Sequence, residues 1–117
     1  SMGYRIEHDG RSLAYCLDHE HGDTNDIHPG VTALAQNADM LVFDAAYTDE
    51  EYPSFRGWGH STWQEGCKTA RALDVRILAL AGFNPGVVDA DLDLIKAEVD
   101  ALDGETLIAT EGSSIAL

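Results

Sequence analysis

Basic residues are scarce in this sequence: seven Lys and Arg stand against 21 Asp and Glu, so the formal net charge is −14. Proteins bind phosphate backbones and anionic membranes largely through Lys and Arg that replace counterions. The shortage therefore argues against nucleic acid and against membranes as partners of this chain. The acidic excess is typical of a solvated surface that keeps a protein soluble, although some of the carboxylates are available to a metal ion.

Long apolar runs and paired cysteines are also lacking. No run approaches the roughly 20 residues that span a bilayer, and no basic segment leads into an apolar one as in a signal peptide. Cys16 and Cys67 form neither a CxxC pair nor a disulfide framework. We predict two reduced, buried thiols and a cytoplasmic location. Ser1 and Met2 resemble a cloning remnant, which leaves residues 3–117 as a single domain.

Apolar periodicity indicates strands that alternate with helices. Asp9-Gly10 suits the tight turn of a β-hairpin over residues 4–17, and Ser61 with Gln64 has the spacing of a helix-capping box. The remaining predicted elements are a helix from Pro29 to about Asn37, a strand over 40–44, a helix over 61–73, a strand over 75–81, a helix over 89–102, a strand over 106–109 and a final strand over 114–117. This order predicts an α/β sheet, in which ligands bind beyond the carboxyl ends of the strands.

A polar loop from Asp18 to Pro29 carries three histidines: His19, His21 and His28. The H-x-H spacing of His19 and His21 can place both rings on one side of an extended segment. Mixed imidazole and carboxylate ligands suit zinc, iron or manganese. A solvated, His-rich loop explains the same residues without a metal, so both interpretations stay open.

Asp44 ends a predicted buried strand, and a long loop then leads to His60, directly before the predicted helix cap. An imidazole at a helix N-terminus can exchange a proton with a developing negative charge. The alternative is that the ring is a second cap partner of the helix or packs against Trp58 and Trp63. Neither GxxxxGK[ST] nor GxSxG is present, which excludes a P-loop and a nucleophile elbow.

Several blocks of the sequence, DAAYTDEEY (44–52), GWGHSTWQEG (57–66), VRILAL (75–80) and ETLIATEGSSIAL (105–117), resemble the metallo-β-lactamase-fold hydrolases. The resemblance is to the branch near ribonuclease Z and related phosphodiesterases. It covers nearly the whole chain, but only the C-terminal half of that family's domain. It implies half of an αββα sandwich, with one mixed β-sheet and helices on one face. The reaction that it implies is ester hydrolysis by a water that zinc, iron or manganese activates.

The resemblance also implies roles for particular residues. Asp18 stands at the metal-bridging aspartate, His60 at the proton-transfer histidine of a His-Ser-Thr motif, and Asp44 at an acidic structural position with Ser61 beside it. The family's HxHxDH motif is absent, and residues 81–83 replace a metal-ligating histidine. Asp18 alone cannot hold a metal pair. We therefore expect no cofactor in the chain alone, and no catalysis by it.

Three hypotheses follow from these departures. The first is a non-catalytic, engineered half-domain that forms a homodimer, with Phe83, Val87 and Val88 as interface residues in place of polar ligands. The second is the C-terminal part of a dinuclear-metal phosphodiesterase, active only with a half that bears HxHxDH. The third is a metal-binding module built on the His-rich loop, with His19, His21, His28 and Asp18 as candidate ligands.

Overall fold

The computed structural model describes residues 3–17, 20, 27, 29–57, 59–83, 89–100 and 105–108. The strands are β1 (Tyr4–His8), β2 (Arg11–Cys16), β3 (Met40–Asp44), β4 (Ile77–Ala81) and β5 (Glu105–Ile108). The helices are α1 (Pro29–Ala35), α2 (Tyr52–Phe55), α3 (Trp63–Ala72) and α4 (Asp89–Asp100). Within these ranges, none of the helices has the length and apolar character needed to cross a membrane.

The five strands form one mixed sheet in the order β1-β2-β3-β4-β5. β1 and β2 are antiparallel, and every later pair of neighbours is parallel. Asp9 and Gly10 have φ angles of 50° and 75°, the positive values that a tight hairpin turn of this hand requires. The predicted hairpin and α/β sheet are confirmed.

Helices α1, α3 and α4 pack on one face of the sheet, as predicted, whereas α2 packs against Ala46 and Tyr47. That face presents buried side chains of β2, β3 and β4 to residues of α1 and α3, and Ile95 of α4 packs against the same cluster. The buried members from the strands and the two helices are Ala14, Cys16, Leu41, Phe43, Leu78, Leu80, Val31, Ala35, Trp63, Cys67 and Ala70. Because β3 and β4 lie in the middle of the sheet, this cluster fixes their carboxyl ends in space.

Cys16 and Cys67 are free and buried in this cluster. Burial raises the pKa of the Cys16 thiol to about 11 and also raises the pKa of Cys67. Both thiols therefore stay protonated at neutral pH, and a protonated thiol is a poor nucleophile and metal ligand.

The second face of the sheet consists of Tyr4, Ile6, Leu13, Tyr15, Met40, Val42, Ile77 and Ala79, which the strand register places side by side. Among the described residues, the hydrophobic cluster on this face is made of strand side chains alone. Burial falls toward the hairpin, where Tyr4, Ile6 and Tyr15 are 54%, 58% and 39% exposed. The second face thus ends in an apolar surface at the edge strand.

The start of α3 differs from the prediction by one residue. Thr62, not Ser61, is the N-cap, and its hydroxyl accepts a hydrogen bond from the backbone N–H of Glu65 at 3.1 Å. Gln64 does not reach back to the cap, because its side-chain oxygen accepts from Asp49 N at 3.0 Å. The capping-box prediction at Ser61 was wrong, since the spacing alone does not tell which hydroxyl the fold turns toward the helix.

Two other boundaries differ. The loop predicted over 45–60 contains the short helix α2, which begins next to Pro53. β4 begins at Ile77 and not at Val75, because the N–H groups of Val75 and Arg76 donate to Ala70 and Ala38 outside the ladder. Both changes tighten the path between the sheet and α3. The predicted final strand over 114–117 lies outside the described residues.

Gly66 allows α3 to lie close to the sheet. A Cβ at this position would stand 2.9 Å from Leu80 Cδ2 and 3.0 Å from Phe43 Cδ1, and both of those side chains are buried. We expect Gly66→Ala to lower the free energy of unfolding by about 1 kcal/mol, because overpacking costs about 1–3 kcal/mol and outweighs the helix propensity gained. Urea denaturation measures the change, with exposed Arg71→Ala in the same helix as the control. A more stable Gly66→Ala protein would disprove this close approach.

Candidate functional site

The candidate site lies at the carboxyl ends of β3 and β4. Asp44, the last residue of β3, pairs with Ala81, the last residue of β4. The chain then leaves the sheet through a segment that we call the site arm, residues 45–61. It returns through a bridge in which Tyr47 N donates to Ser61 O at 3.1 Å and Trp63 N donates to Tyr47 O at 3.2 Å. This bridge brings the end of the arm back beside Asp44.

Asp44 is the acceptor at the centre of the site. The residue is 1% exposed. Its Oδ1 accepts from Ala46 N and from Ser61 N, each at 3.2 Å. Its Oδ2 lies 2.8 Å from His60 Nδ1. A buried carboxylate is costly unless hydrogen bonds satisfy it, so these contacts explain how the carboxylate is tolerated and why the arm closes on it.

His60 is held by its Nδ1 atom and by a ring contact. A carboxylate only accepts hydrogen bonds, so the contact with Asp44 keeps the proton on Nδ1 and leaves Nε2 of the neutral ring as the acceptor. The His60 side chain is 34% exposed, whereas that of Asp44 is 2% exposed. Tyr47 meets the imidazole edge-on, at 5.9 Å between ring centroids. The arrangement provides an oriented, accessible base.

Tyr47 also connects His60 to helix α2. Its ring stacks on Phe55 with centroids 4.6 Å apart and an interplanar angle of 6°. Burial raises the pKa of the Tyr47 phenol, and the carboxylates of Asp44, Glu20 and Glu51 raise it further. The phenol therefore stays neutral at physiological pH and serves as a packing surface for the imidazole.

Polar contacts within the site arm and to α3 hold the segment that the sequence predicts as a long loop. The Thr62 hydroxyl donates to Asp49 Oδ1 at 2.6 Å, and Thr62 is fully buried. Thr48 and Glu51 exchange two hydrogen bonds, each at 3.1 Å between backbone nitrogen and side-chain oxygen. These contacts tie the described part of the arm that leads to His60 to itself and to α3.

Sequence reasoning missed Glu20. Its carboxylate accepts hydrogen bonds from the backbone of Gly57 and Gly59 and from the Tyr52 hydroxyl. In the sequence, Glu20 is one acid between two histidines, so it was read as part of the His-rich loop. The available signal was the Gly57-x-Gly59 spacing, which offers backbone donors beside His60.

Of the residues singled out in the sequence, the structure brings Asp44, His60 and Ser61 together. Phe83 is half-buried and packs against the helix-covered cluster. The remaining candidates lie outside the described residues: Asp18, His19, His21, His28, Val87 and Val88.

The described residues do not fit a metal pair. Among them, no group of three or more His, Cys, Asp or Glu side chains is placed to hold a metal ion. Both Asp44 oxygens are already engaged. Beside Asp44, residues 81–83 bring no ligating side chain, and a Cβ on Gly82 would lie 4.0 Å from Asp44 Oδ2. A dinuclear centre would need its ligands from elsewhere.

Comparison with known families decides where the chain belongs. Residues 1–83 match the family model described as a beta-lactamase superfamily domain. The chain belongs to the β-lactamase superfamily. This member of the superfamily is 33% identical over 106 residues to ribonuclease Z of Haloferax volcanii, covering 91% of the chain and 32% of that relative. It is 34% identical over 96 residues to ribonuclease Z of Gemmatimonas aurantiaca, covering 80% of the chain and 30% of the relative.

Solved structures confirm the fold of this β-lactamase superfamily chain. The metallo-β-lactamase fold protein YhfI from Bacillus subtilis superposes with a TM-score of 0.70 at 22% identity, covering 93% of this chain and 41% of YhfI. Human tRNase Z, short form, gives a TM-score of 0.65 at 20% identity, covering 97% of this chain and 37% of the human one. The chain spans about a third of the length of the curated relatives that it matches. The predicted resemblance to part of a metallo-β-lactamase fold is confirmed.

Proposed function

We propose that this chain is the C-terminal part of a ribonuclease Z-like phosphodiesterase, that it supplies a proton-transfer pair, and that it is not catalytic alone. The observation that supports the proposal is the contact of 2.8 Å between His60 Nδ1 and Asp44 Oδ2 at the carboxyl ends of β3 and β4. The similarity to ribonucleases Z runs along most of the chain. The partner is a half-domain that bears HxHxDH.

The proposed chemistry of the pair follows from its hydrogen bonds. Asp44 holds the Nδ1 proton, so the lone pair of the neutral His60 ring lies on Nε2. Nε2 takes up a proton from solvent, and Asp44 stabilises the imidazolium that results. As the oxygen of a water molecule bonds to phosphorus and that water gives up a proton to solvent, the bond between phosphorus and the leaving oxygen breaks. The proton passes from Nε2 to the leaving oxygen, which departs as an alcohol. Proton transfer of this kind contributes about 10²- to 10⁴-fold to a rate.

Zinc, iron or manganese, the metals that the family resemblance implies, would be held by the complementary half together with Asp18.

Metal analysis of the chain, purified without a His tag, tests whether most of the metal ligands come from the complementary half. We expect no bound metal in the chain alone and a metal pair only after the complementary half is added. Two metals per pair of identical chains, accompanied by turnover, would overturn it. One zinc that is lost on His21→Ala would favour the His-rich metal-binding module instead.

A second candidate function is self-association as a half-domain. The exposed apolar residues Tyr4, Ile6 and Tyr15 on the second face favour it, because the inner faces of sandwich sheets are apolar and need a cover. A homodimer would pack two second faces together. An engineered origin and a cytoplasmic location belong to the same proposal. Sedimentation of the wild-type chain and of Ile6→Lys tests it. A stable wild-type monomer at tens of micromolar, a rough range for weak association, would rule it out.

A further inference from the structure

Glu20 connects the loop after β2 to the site arm. One of its carboxylate oxygens accepts from Gly57 N and Gly59 N, each at 2.9 Å. The other accepts from the Tyr52 hydroxyl and again from Gly57 N, each at 3.0 Å. These contacts join residues 32 to 39 positions apart in the sequence. Both oxygens of one side chain are therefore used to hold a single segment.

The backbone of the arm is shaped for this carboxylate. Gly57 and Gly59 both have φ angles of 89°, a left-handed conformation that L side chains rarely adopt. A Cβ at either glycine would meet nothing within 4 Å. A side chain would therefore fit at both positions without a clash. Glycine is required there because of the positive φ angles. That conformation turns the N–H groups on both sides of residue 58 toward one acceptor.

The position of Glu20 bears on His60. Gly59 precedes His60 directly, and Tyr52 begins α2, whose last residue, Phe55, stacks on Tyr47, the ring that meets the imidazole. Asp44 holds His60 from the sheet side, and Glu20 holds the adjoining backbone from the side of β2. One carboxylate thus holds the imidazole of His60, and another holds the backbone that precedes it.

We propose that Glu20 is a positioning residue for His60, and that its carboxylate clamps Gly57, Gly59 and Tyr52 so that the imidazole stays seated on Asp44. The inference rests on the proposed proton-transfer function of His60. Glutamine at position 20 keeps the size of the side chain but replaces one accepting oxygen by a donor. It therefore leaves at least one of the four hydrogen bonds unmade.

NMR of the whole 117-residue chain tests the clamp, with Glu20→Gln and Glu20→Ala as the variants. In Glu20→Ala, we expect hydrogen exchange of the Gly57 and Gly59 amides to become roughly tenfold faster or more, because hydrogen bonds to charged groups are the strong ones. In Glu20→Gln, whose amide oxygen can still accept from both glycines, we expect a smaller increase. We also expect the ring ¹⁵N signals of His60 to shift toward those of an unrestrained histidine. The His60 ring in the urea-unfolded chain provides that reference.

Two controls separate positioning from a general loss of structure. Glu7→Gln changes an exposed carboxylate that pairs with Arg5, and it should leave Gly57, Gly59 and His60 unchanged. Gly59→Ala and Gly10→Ala both place a side chain at positive φ without a clash, but only the first lies on the arm. We expect Gly59→Ala to move the His60 ring signals and Gly10→Ala to leave them in place.

Kinetics in the complex with an HxHxDH-bearing half give the last readout. Glu20→Ala should lower kcat roughly ten- to hundredfold with little change in KM, since misplacement of a reacting group by about 1 Å costs that much. Unchanged glycine amides, or changed amides with an unmoved His60 ring, would overturn the inference. The ring signals are read in the chain alone. A wild-type complex without turnover would therefore count against the proposed function and not against the clamp.

Discussion

Asp44→Ala is expected to lower the free energy of unfolding by about 3 kcal/mol or more, the largest stability effect that we predict for a single polar side chain. The substitution removes an acceptor that is 1% exposed. It leaves the N–H groups of Ala46 and Ser61 and the Nδ1 of His60 without that partner. It also opens a void between the ends of β3 and β4, where the arm returns to the sheet.

Urea denaturation followed by circular dichroism measures this loss. The matched control is Asp93→Ala, the same chemical change at an exposed position of α4, where substitutions usually fall within about 0.5 kcal/mol of zero. A loss of less than about 1 kcal/mol for Asp44→Ala would mean that the arm does not depend on this carboxylate.

Asp44→Asn is expected to lower kcat about 10²- to 10⁴-fold in the complex with an HxHxDH-bearing half, while costing less stability than alanine. The two backbone N–H groups at Oδ1 require an oxygen there, so the amide nitrogen must take the place of Oδ2 and donate to His60 Nδ1. Nδ1 then becomes the acceptor and the ring proton moves to Nε2. The imidazole keeps its place but presents the wrong tautomer.

Steady-state kinetics and the ring ¹⁵N shifts of His60 check this prediction together. Asp49→Asn is the control on the same arm: the asparagine oxygen can still accept from the Thr62 hydroxyl, and the change in charge is identical. We expect the control to keep its kcat and its His60 tautomer. If Asp44→Asn changes the tautomer but not kcat, His60 does not transfer the proton.

Much of the fold could be predicted from local chemistry. Asp9-Gly10 specifies its turn because only certain residues accept positive φ, and the structure shows positive φ at both. The apolar run of β4 indicated a strand covered on both faces, and its residues Ile77 to Leu80 are all buried between parallel neighbours. In both cases the interactions that determine the local structure lie within the segment itself or between it and the neighbouring strands.

The contacts that shape the site could not be predicted in the same way. Ser61 and Thr62 both suit a cap, and the choice depends on Asp44, which engages the backbone of Ser61 from a different strand. Glu20 meets Gly57 and Gly59 across more than 30 positions of sequence. No local pattern encodes such pairings, because the partners become neighbours only after β2 and β3 have paired.

Hydrolysis of a simple phosphodiester such as bis(p-nitrophenyl) phosphate tests most directly whether this chain carries a proton-transfer pair without a complete site. The chain, an HxHxDH-bearing half from a ribonuclease Z, and their metal-loaded mixture would be compared at equal concentration. We predict turnover by the mixture alone, and its loss when the chain carries His60→Ala. Turnover by the isolated chain at the rate of the mixture, or an associated, metal-loaded mixture that is indifferent to His60→Ala, would contradict this account.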